Sequence, residues 1–72
     1  MKEIVIKDSF IKLGQALKLI GAVESGFEAK SVINRGIVLV NGKVETRRGR
    51  KLVDDDCVTY NGETFVVRSR DI

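Results

Sequence analysis

The side chains with the clearest chemical potential are cations that cluster past the middle of the chain. The segment 43–51 holds five of the thirteen lysines and arginines and a single acid, Glu45. Its formal charge is therefore +4, while all other residues together sum to −1. A solvated face usually mixes both signs, so this concentration indicates an anionic partner. The cations are Lys43, Arg47, Arg48, Arg50 and Lys51.

Residues 46–51, with sequence TRRGRK, are here called the basic loop. Arginine is always charged, and its planar guanidinium can bind a phosphate through two hydrogen bonds. Gly49 allows either a close approach of the backbone to a partner or a positive φ. The composition favours phosphate binding, and a solvated loop without a partner is the alternative interpretation.

A second candidate contact is the start of a predicted helix after Ser25. The free N–H groups and the dipole of a helix N-terminus favour phosphate. Lys30 and Asn34 lie one turn apart on that helix, away from its apolar face. An ordinary polar helix face has the same pattern, so Lys30 gains weight only together with the basic loop.

Residues for catalysis or metal binding are sparse. The sequence has no histidine, which excludes histidine-based acid–base and triad chemistry, and it has no GxxxxGK[ST] phosphate loop. The three adjacent aspartates at 54–56 favour a turn, because adjacent carboxylates rarely converge on one cation. We therefore expect no enzyme, no cofactor and no metal site.

Length and composition predict a single domain over residues 1–72. The chain has no proline that would mark a linker, and its one cysteine, Cys57, excludes an intramolecular disulfide. We expect Cys57 to be a small buried apolar residue. No apolar stretch could span a bilayer, and the N-terminus lacks the apolar region of a signal peptide. The sequence thus predicts a cytoplasmic protein without a membrane partner.

Two helices are predicted to follow a short strand at residues 3–7. The first helix is indicated by apolar residues at i, i+3, i+4 and i+7, and Gly21 ends it. In the second, Ser25 and Glu28 form a capping box, and Gly36 suits the position after the last turn. The helix residues expected to be buried are Leu13, Leu17, Ile20, Ala29, Val32 and Ile33.

The second half of the sequence predicts strands joined by tight turns. Asn41-Gly42 and Asn61-Gly62 each separate two β-type runs, which favours two-residue type I′ hairpins. The first turn would place Leu39 opposite Val44. The order of elements predicts an α+β fold with a small, largely antiparallel β-sheet packed on a helix pair.

In their order, these motifs resemble the S-four-like (S4-like) RNA-binding domain, whose helix pair is the αL motif. The resemblance covers about residues 11–67. It rests on Ser25-Gly26 before a helix with Ala29-Lys30, on GIVLVNG at 36–42, and on a basic loop before Asp56-x-Val58. LGQ at 13–15 and RRGRKL at 47–52 are closer still to the short free-standing bacterial members, the YaaA/YbcJ type.

The resemblance implies a module that recognises the shape of structured RNA. It favours ribosomal RNA or a ribosome-assembly intermediate over transfer RNA, with the ribosome as an expected partner and a monomer as the expected state. Lys12 and Lys30 stand where relatives carry basic residues on the two helices, and Ser25 matches the residue that opens the second. The expected RNA-binding residues are Lys12, Ser25, Lys30, Lys43, Arg47, Arg48, Arg50 and Lys51.

Three residues depart from the family pattern. Gly14 stands where many relatives carry an acid, so a salt bridge that orients the basic residues would be absent. Phe27 replaces a small residue, and we expect it to pack locally, although an exposed ring would stack on an unpaired base. Asp55 replaces a common glycine before Asp56, which is expected to change only the turn.

Other functions remain open at the level of the sequence. A protein-interaction adaptor would use a sheet edge or the apolar residues of the last hairpin, and would show little salt dependence. An accessory piece of an RNA-modifying enzyme that lacks its catalytic domain is a third interpretation. DNA binding is weaker, because no helix carries a run of base-reading polar residues.

Overall fold

Two helices and seven short strands make up residues 1–70 of the computed structural model, the part of the chain that the structure describes. In chain order they are β1 Lys2–Ile6, β2 Ile11–Lys12, α1 Leu13–Leu19, α2 Gly26–Asn34, β3 Val38–Val40, β4 Lys43–Val44, β5 Lys51–Leu52, β6 Cys57–Tyr60 and β7 Glu63–Ser69. No helix within residues 1–70 is long and apolar enough to cross a membrane.

The strands form a five-stranded sheet in the order β1-β7-β6-β3-β4 and a separate two-stranded ladder of β2 with β5. All pairs are antiparallel except β1 with β7, which run parallel. The predicted α+β fold, with two helices and a largely antiparallel sheet, is confirmed. The ladder of β2 and β5 was not predicted, because two residues are too few to show a strand's alternation.

Both predicted hairpin turns are present. Asn41 and Gly42 have φ of 53° and 83°, and Asn61 and Gly62 have φ of 54° and 80°. Positive φ at both central residues is the mark of a type I′ turn, whose twist matches that of the flanking strands. The first turn places Leu39 opposite Val44 as expected.

The start of α2 follows the predicted capping pattern with one difference. Ser25 Oγ accepts a 3.1 Å hydrogen bond from the Glu28 N–H. Glu28 Oε1 accepts from the Glu24 N–H at 2.7 Å, one residue before the N–H that a capping box would use. At the other end, Gly36 has φ of 75°, so the predicted glycine after the last turn is confirmed.

A mainly aliphatic core lies between the helices and the sheet. Five of the six helix residues expected in it are buried, and Ile20, at the end of α1, is half-buried. The sheet contributes buried side chains from β1, β3, β6 and β7. Leu52 of β5 is fully buried as well, so the short ladder of β2 and β5 is anchored to the same core. Cys57 is half-buried.

The three aspartates at 54–56 form a turn, as predicted. Asp54 Oδ1 accepts from the Ser69 N–H, and Asp56 Oδ2 accepts from the Val53 N–H, both at 2.8 Å. Asp55 has φ of 76° and pairs with Arg68. Asp54 and Asp55 therefore hold the turn against β7, and Asp56 closes it on Val53.

Candidate functional site

The basic loop is fixed against the N-terminal end of α1. The Leu13 N–H donates to the Arg50 carbonyl at 2.8 Å, and the Gly14 N–H donates to the Arg48 carbonyl at 3.1 Å. The first N–H groups of a helix have no partner within the helix, so the loop carbonyls cap α1. The loop backbone is thereby held beside Lys12, the residue that precedes the helix.

The ladder of β2 and β5 brings two more cations together. Lys12 pairs with Lys51 in the antiparallel register, and directly opposed residues project their side chains to the same face. Lys51 Nζ lies 4.8 Å from the centroid of the Phe10 ring, a cation–π contact that holds the ammonium without neutralising it. Lys12 and Lys51 are thus neighbours at the foot of the loop.

Arg48 packs across the first turn of α1 where Gly14 leaves room. A Cβ built on Gly14 would lie 2.7 Å from Arg48 Cγ and 3.3 Å from Arg48 Cδ, with the Arg48 carbonyl oxygen 3.7 Å away. Any side chain at position 14 would therefore displace the arginine. Gly14 is the residue that departs from the family pattern. It allows Arg48 to pack closely on the helix, where an acid at position 14 would instead offer an ion pair.

Glu45 lies beneath the loop and binds two of its arginines. Its side chain is 9% exposed. Oε2 accepts from the Arg47 N–H and from Arg47 Nε, both at 3.0 Å, and Oε1 accepts from Arg47 Nη2 at 3.1 Å and from Arg50 Nη1 at 2.7 Å. The sequence pattern treated Glu45 only as a charge that offsets the loop, so this ion-pair cluster was missed.

The arginines determine the ionisation of Glu45. Hydrogen bonds from the Arg47 side chain and then from Arg50 lower the pKa of Glu45 from 4.5 to about 2, although burial acts in the opposite direction. The same bond raises the pKa of Arg47. Glu45 is consequently a carboxylate at neutral pH.

The outer side of the loop forms an open hollow of about 610 Å³ lined by Arg47, Gly49, Arg50 and Lys51. No atom lies within 4 Å of the position that a Gly49 Cβ would occupy, beyond its chain neighbours. The suggestion of a positive φ at Gly49 is wrong, because its φ lies outside the left-handed region. The other expectation for Gly49, a backbone that a ligand can approach closely, is consistent with the open space around it.

The other three expected residues belong to α2, including its N-cap, and to β4. Ser25 caps α2 through its side chain, and Lys30 is exposed one turn into that helix. Lys43 lies on the edge strand β4, exposed and opposite Val40. The structure therefore brings together five of the eight: Lys12, Arg47, Arg48, Arg50 and Lys51.

The C-terminal end of α2 is the end that approaches the β3–β4 hairpin. A Cβ on Gly36 would lie 3.7 Å from Val44 Cγ1, and Val44 directly precedes Glu45. Arg35, the exposed C-cap residue of α2, adjoins this contact. Arg35 was not among the expected residues, because the sequence indicated contacts only at the N-terminal end of α2.

Phe27 is 82% exposed at the second position of α2. The expectation that its ring packs locally is wrong. Phe27 and Lys30 are three residues apart, which places them next to each other on the helix surface. Phe27 and Lys30 are both exposed.

The family model of the S4 domain matches residues 4–68, nearly the full length. This chain belongs to the S4 domain family, which is not a family of enzymes. It is 44% identical over 59 residues to the probable ribosome maturation protein RlbA of Bacillus subtilis (strain 168), with 82% of this chain and 83% of the relative covered. It is 41% identical over 61 residues to the putative RNA-binding protein YbcJ of Escherichia coli (strain K12), with coverage of 85% and 87%.

The fold of a solved relative agrees with the sequence comparison. The solution structure of YbcJ from E. coli matches with a TM-score of 0.72 and 38% identity, over 94% of this chain and 87% of that one. That structure is described as revealing an αL motif involved in RNA binding. The predicted resemblance to the short free-standing members of the S4-like family is confirmed.

Proposed function

We propose that this protein is a free-standing, non-enzymatic module that binds structured RNA, and that its ligand is ribosomal RNA or a ribosome-assembly intermediate. The observation that carries the proposal is the gathering of Lys12, Arg48 and Lys51, with the paired Arg47 and Arg50, around the start of α1. Four of these cations lie within residues 47–51, and the pairing of β2 with β5 adds Lys12 from almost forty positions away.

The surface formed by these five cations is suited to contacts with phosphate groups. Arginine and lysine bind the RNA backbone and position the protein on it, but they carry little sequence information. Side chains cannot reach base edges in the deep groove of A-form RNA, so recognition of a stem depends on its shape. The loop and the β2–β5 ladder present their cations from a backbone that is hydrogen-bonded to the first turn of α1, which suits a ligand of fixed shape.

The residues on α2 and β4 extend the proposed surface. Lys30 and Ser25 would contact the RNA at the start of α2, and Lys43 would do so from the sheet edge. The full proposed set is Lys12, Ser25, Lys30, Lys43, Arg47, Arg48, Arg50 and Lys51. The names of the relatives support the two parts of the proposal separately, RNA binding through YbcJ and the ribosome through RlbA. A cytoplasmic monomer with its one domain over residues 1–72 is the form we propose.

The deciding experiment is a fluorescence titration with two RNAs of the same sequence composition. One folds into a duplex–loop junction and the other stays single-stranded. We expect tighter binding to the folded RNA at physiological salt, and unchanged affinity when base pairs in the stem are exchanged without changing its fold. Equal affinity for both RNAs would indicate a nonspecific polycation, and an affinity indifferent to salt would favour the adaptor alternative.

The source of the RNA is tested separately. Crosslinking in cells, followed by sequencing of the attached fragments, is expected to recover ribosomal RNA or its precursors. Recovery of transfer RNA alone would retain RNA binding and refute the ribosomal part.

A further inference from the structure

We propose that Glu45 is a positioning residue of the basic loop, whose carboxylate holds Arg47 and Arg50 in the orientation in which they bind phosphate. This inference rests on the proposed RNA-binding function and deepens it. It gives an acidic side chain a role in binding an anion. Judged by its charge alone, that side chain would be expected to weaken the binding.

Hydrogen bonds from the basic loop fill the acceptor positions of the Glu45 carboxylate. A carboxylate offers about four acceptor positions, and Glu45 fills them with the Arg47 N–H, Arg47 Nε, Arg47 Nη2 and Arg50 Nη1. Residue 47 is held through its backbone and its side chain together. Glu45 in turn is anchored to the sheet, because its own N–H donates to the Val38 carbonyl at 3.0 Å. The acid therefore connects β3 to the loop.

The ion pairs leave further N–H donors on both guanidinium groups. Each guanidinium has more N–H donors than Glu45 uses, and the Arg47 side chain is 72% exposed and that of Arg50 32% exposed. Both residues line the hollow beside Gly49 and Lys51. A phosphate in the hollow can therefore contact arginines that are already ordered, without displacing Glu45.

The positioning role and the electrostatic role of Glu45 have opposite consequences for affinity. Ordering a long side chain before binding removes an entropy cost from the association step. A carboxylate near the ligand, in contrast, repels phosphate and cancels one cation. The sign of the change in affinity when the negative charge is removed therefore decides between the two roles.

Glu45→Gln is the test, and Glu63→Gln is its matched control. Both substitutions remove one negative charge at constant size, but Glu63 lies on β7, where it pairs with Lys2 in an exposed ion pair. With the folded RNA, Glu45→Gln is expected to weaken binding about threefold to tenfold, the effect of freeing one or two long side chains, although the net charge rises. Glu63→Gln is expected to leave binding unchanged or slightly tighter. Binding by Glu45→Gln as tight as that of Glu63→Gln, or tighter, overturns the inference.

A measurement on the unmodified protein keeps the inference testable if Glu45→Gln fails to fold. The Arg47 Nε–H group gives a resolved nitrogen–proton NMR signal when it is held in a hydrogen bond and protected from exchange. We expect that signal in the free protein and its retention in the RNA complex. Absence of that signal in the free protein would mean that Glu45 does not hold Arg47 before the RNA binds, which overturns the inference. Absence of RNA binding by the wild-type protein refutes the proposed function itself, whereas the outcomes above refute only the role of Glu45.

Discussion

The N–H of Gly14 donates to the carbonyl of Arg48, and the Arg48 side chain packs so close that a Cβ on residue 14 would lie 2.7 Å from its Cγ. This hydrogen bond and this close packing join the helix terminus to the cationic loop, next to the hydrogen bond from the Leu13 N–H to the Arg50 carbonyl. Binding by the loop is therefore expected to respond to changes within α1 that touch no ligand.

Gly14→Ala is expected to weaken RNA binding with little loss of stability. The new Cβ would lie 2.7 Å from Arg48 Cγ, so the arginine has to move off the helix. Alanine is favoured over glycine by about 1 kcal/mol in a helix interior, which offsets part of the cost of that shift at residue 14, in the first turn. Gln15→Ala, an exposed substitution on the same helix, is the control for both titration and thermal melting. Unchanged affinity of Gly14→Ala would show that the position of Arg48 is immaterial.

The salt dependence of binding follows from the number of phosphates contacted. About five contacts, one for each cation gathered at the loop, predict a log–log slope of affinity against salt of roughly −3.5 to −4.5. Arg48→Ala is expected to lower the slope by about one and to weaken all folded RNAs similarly. Lys7→Ala removes one cation from the bend after β1 and serves as the control. Equal slopes for the two variants would place Arg48 outside the interface.

Acid is expected to destabilise the protein through Glu45. Its pKa is about 2 in the folded protein against an ordinary 4.5, so the unfolded chain binds its proton first as the pH falls. The stabilisation is complete above about pH 5 and is lost between the two pKa values. We expect a contribution on the order of 2 kcal/mol, after allowance for the exposure of Arg47.

Urea unfolding at pH values from 6 down to 2 measures the contribution of Glu45 to the free energy of unfolding. The difference in unfolding free energy between wild type and Glu45→Gln should shrink as the pH falls. A difference independent of pH would mean that the ion pairs do not stabilise the fold.

Asp55 occupies a backbone conformation that favours glycine. With φ of 76°, a residue with a Cβ is strained there by about 1–2 kcal/mol. Asp55→Gly is expected to melt at a higher temperature than Asp55→Ala. Both variants lose the exposed pair with Arg68, so the comparison isolates the backbone term. Identical melting temperatures would contradict it.

Phe27→Ala tests whether the exposed ring stacks on a base. Loss of a base–aromatic stack is expected to cost about 1–3 kcal/mol of binding free energy, while the melting temperature stays unchanged because the ring is 82% exposed. Phe27→Tyr retains the stacking surface and should bind as the wild type does. Normal affinity of Phe27→Ala would exclude stacking.

The sequence predicted those features that a few neighbouring residues determine. Asn41 and Gly42 specify their turn because both accept positive φ, and Ser25 specifies the start of α2 through its own side chain. Likewise, the apolar periodicity of α1 and α2 was enough to identify most of their buried residues.

Features that depend on distant parts of the chain were missed. The pairing of Lys12 with Lys51 joins residues almost forty positions apart through a ladder too short to leave a pattern. The burial of Glu45 depends on the fold of the loop above it, so composition showed its charge but not its partners. The exposure of Phe27 also depends on how α2 meets the sheet, which the residue type alone does not indicate.

The parallel pairing of β1 with β7 has a consequence for how the chain reaches its fold. Lys2 pairs with Phe65 and Ile6 with Ser69, so β1, which is synthesised before the other strands, pairs with β7, which follows them in the chain. During synthesis, β1 has no partner until almost all of the sequence has emerged, and contacts of such long sequence separation slow folding. A chain cut before β7 would lose its N-terminal strand along with its C-terminal one, since β1 pairs with β7 alone among residues 1–70.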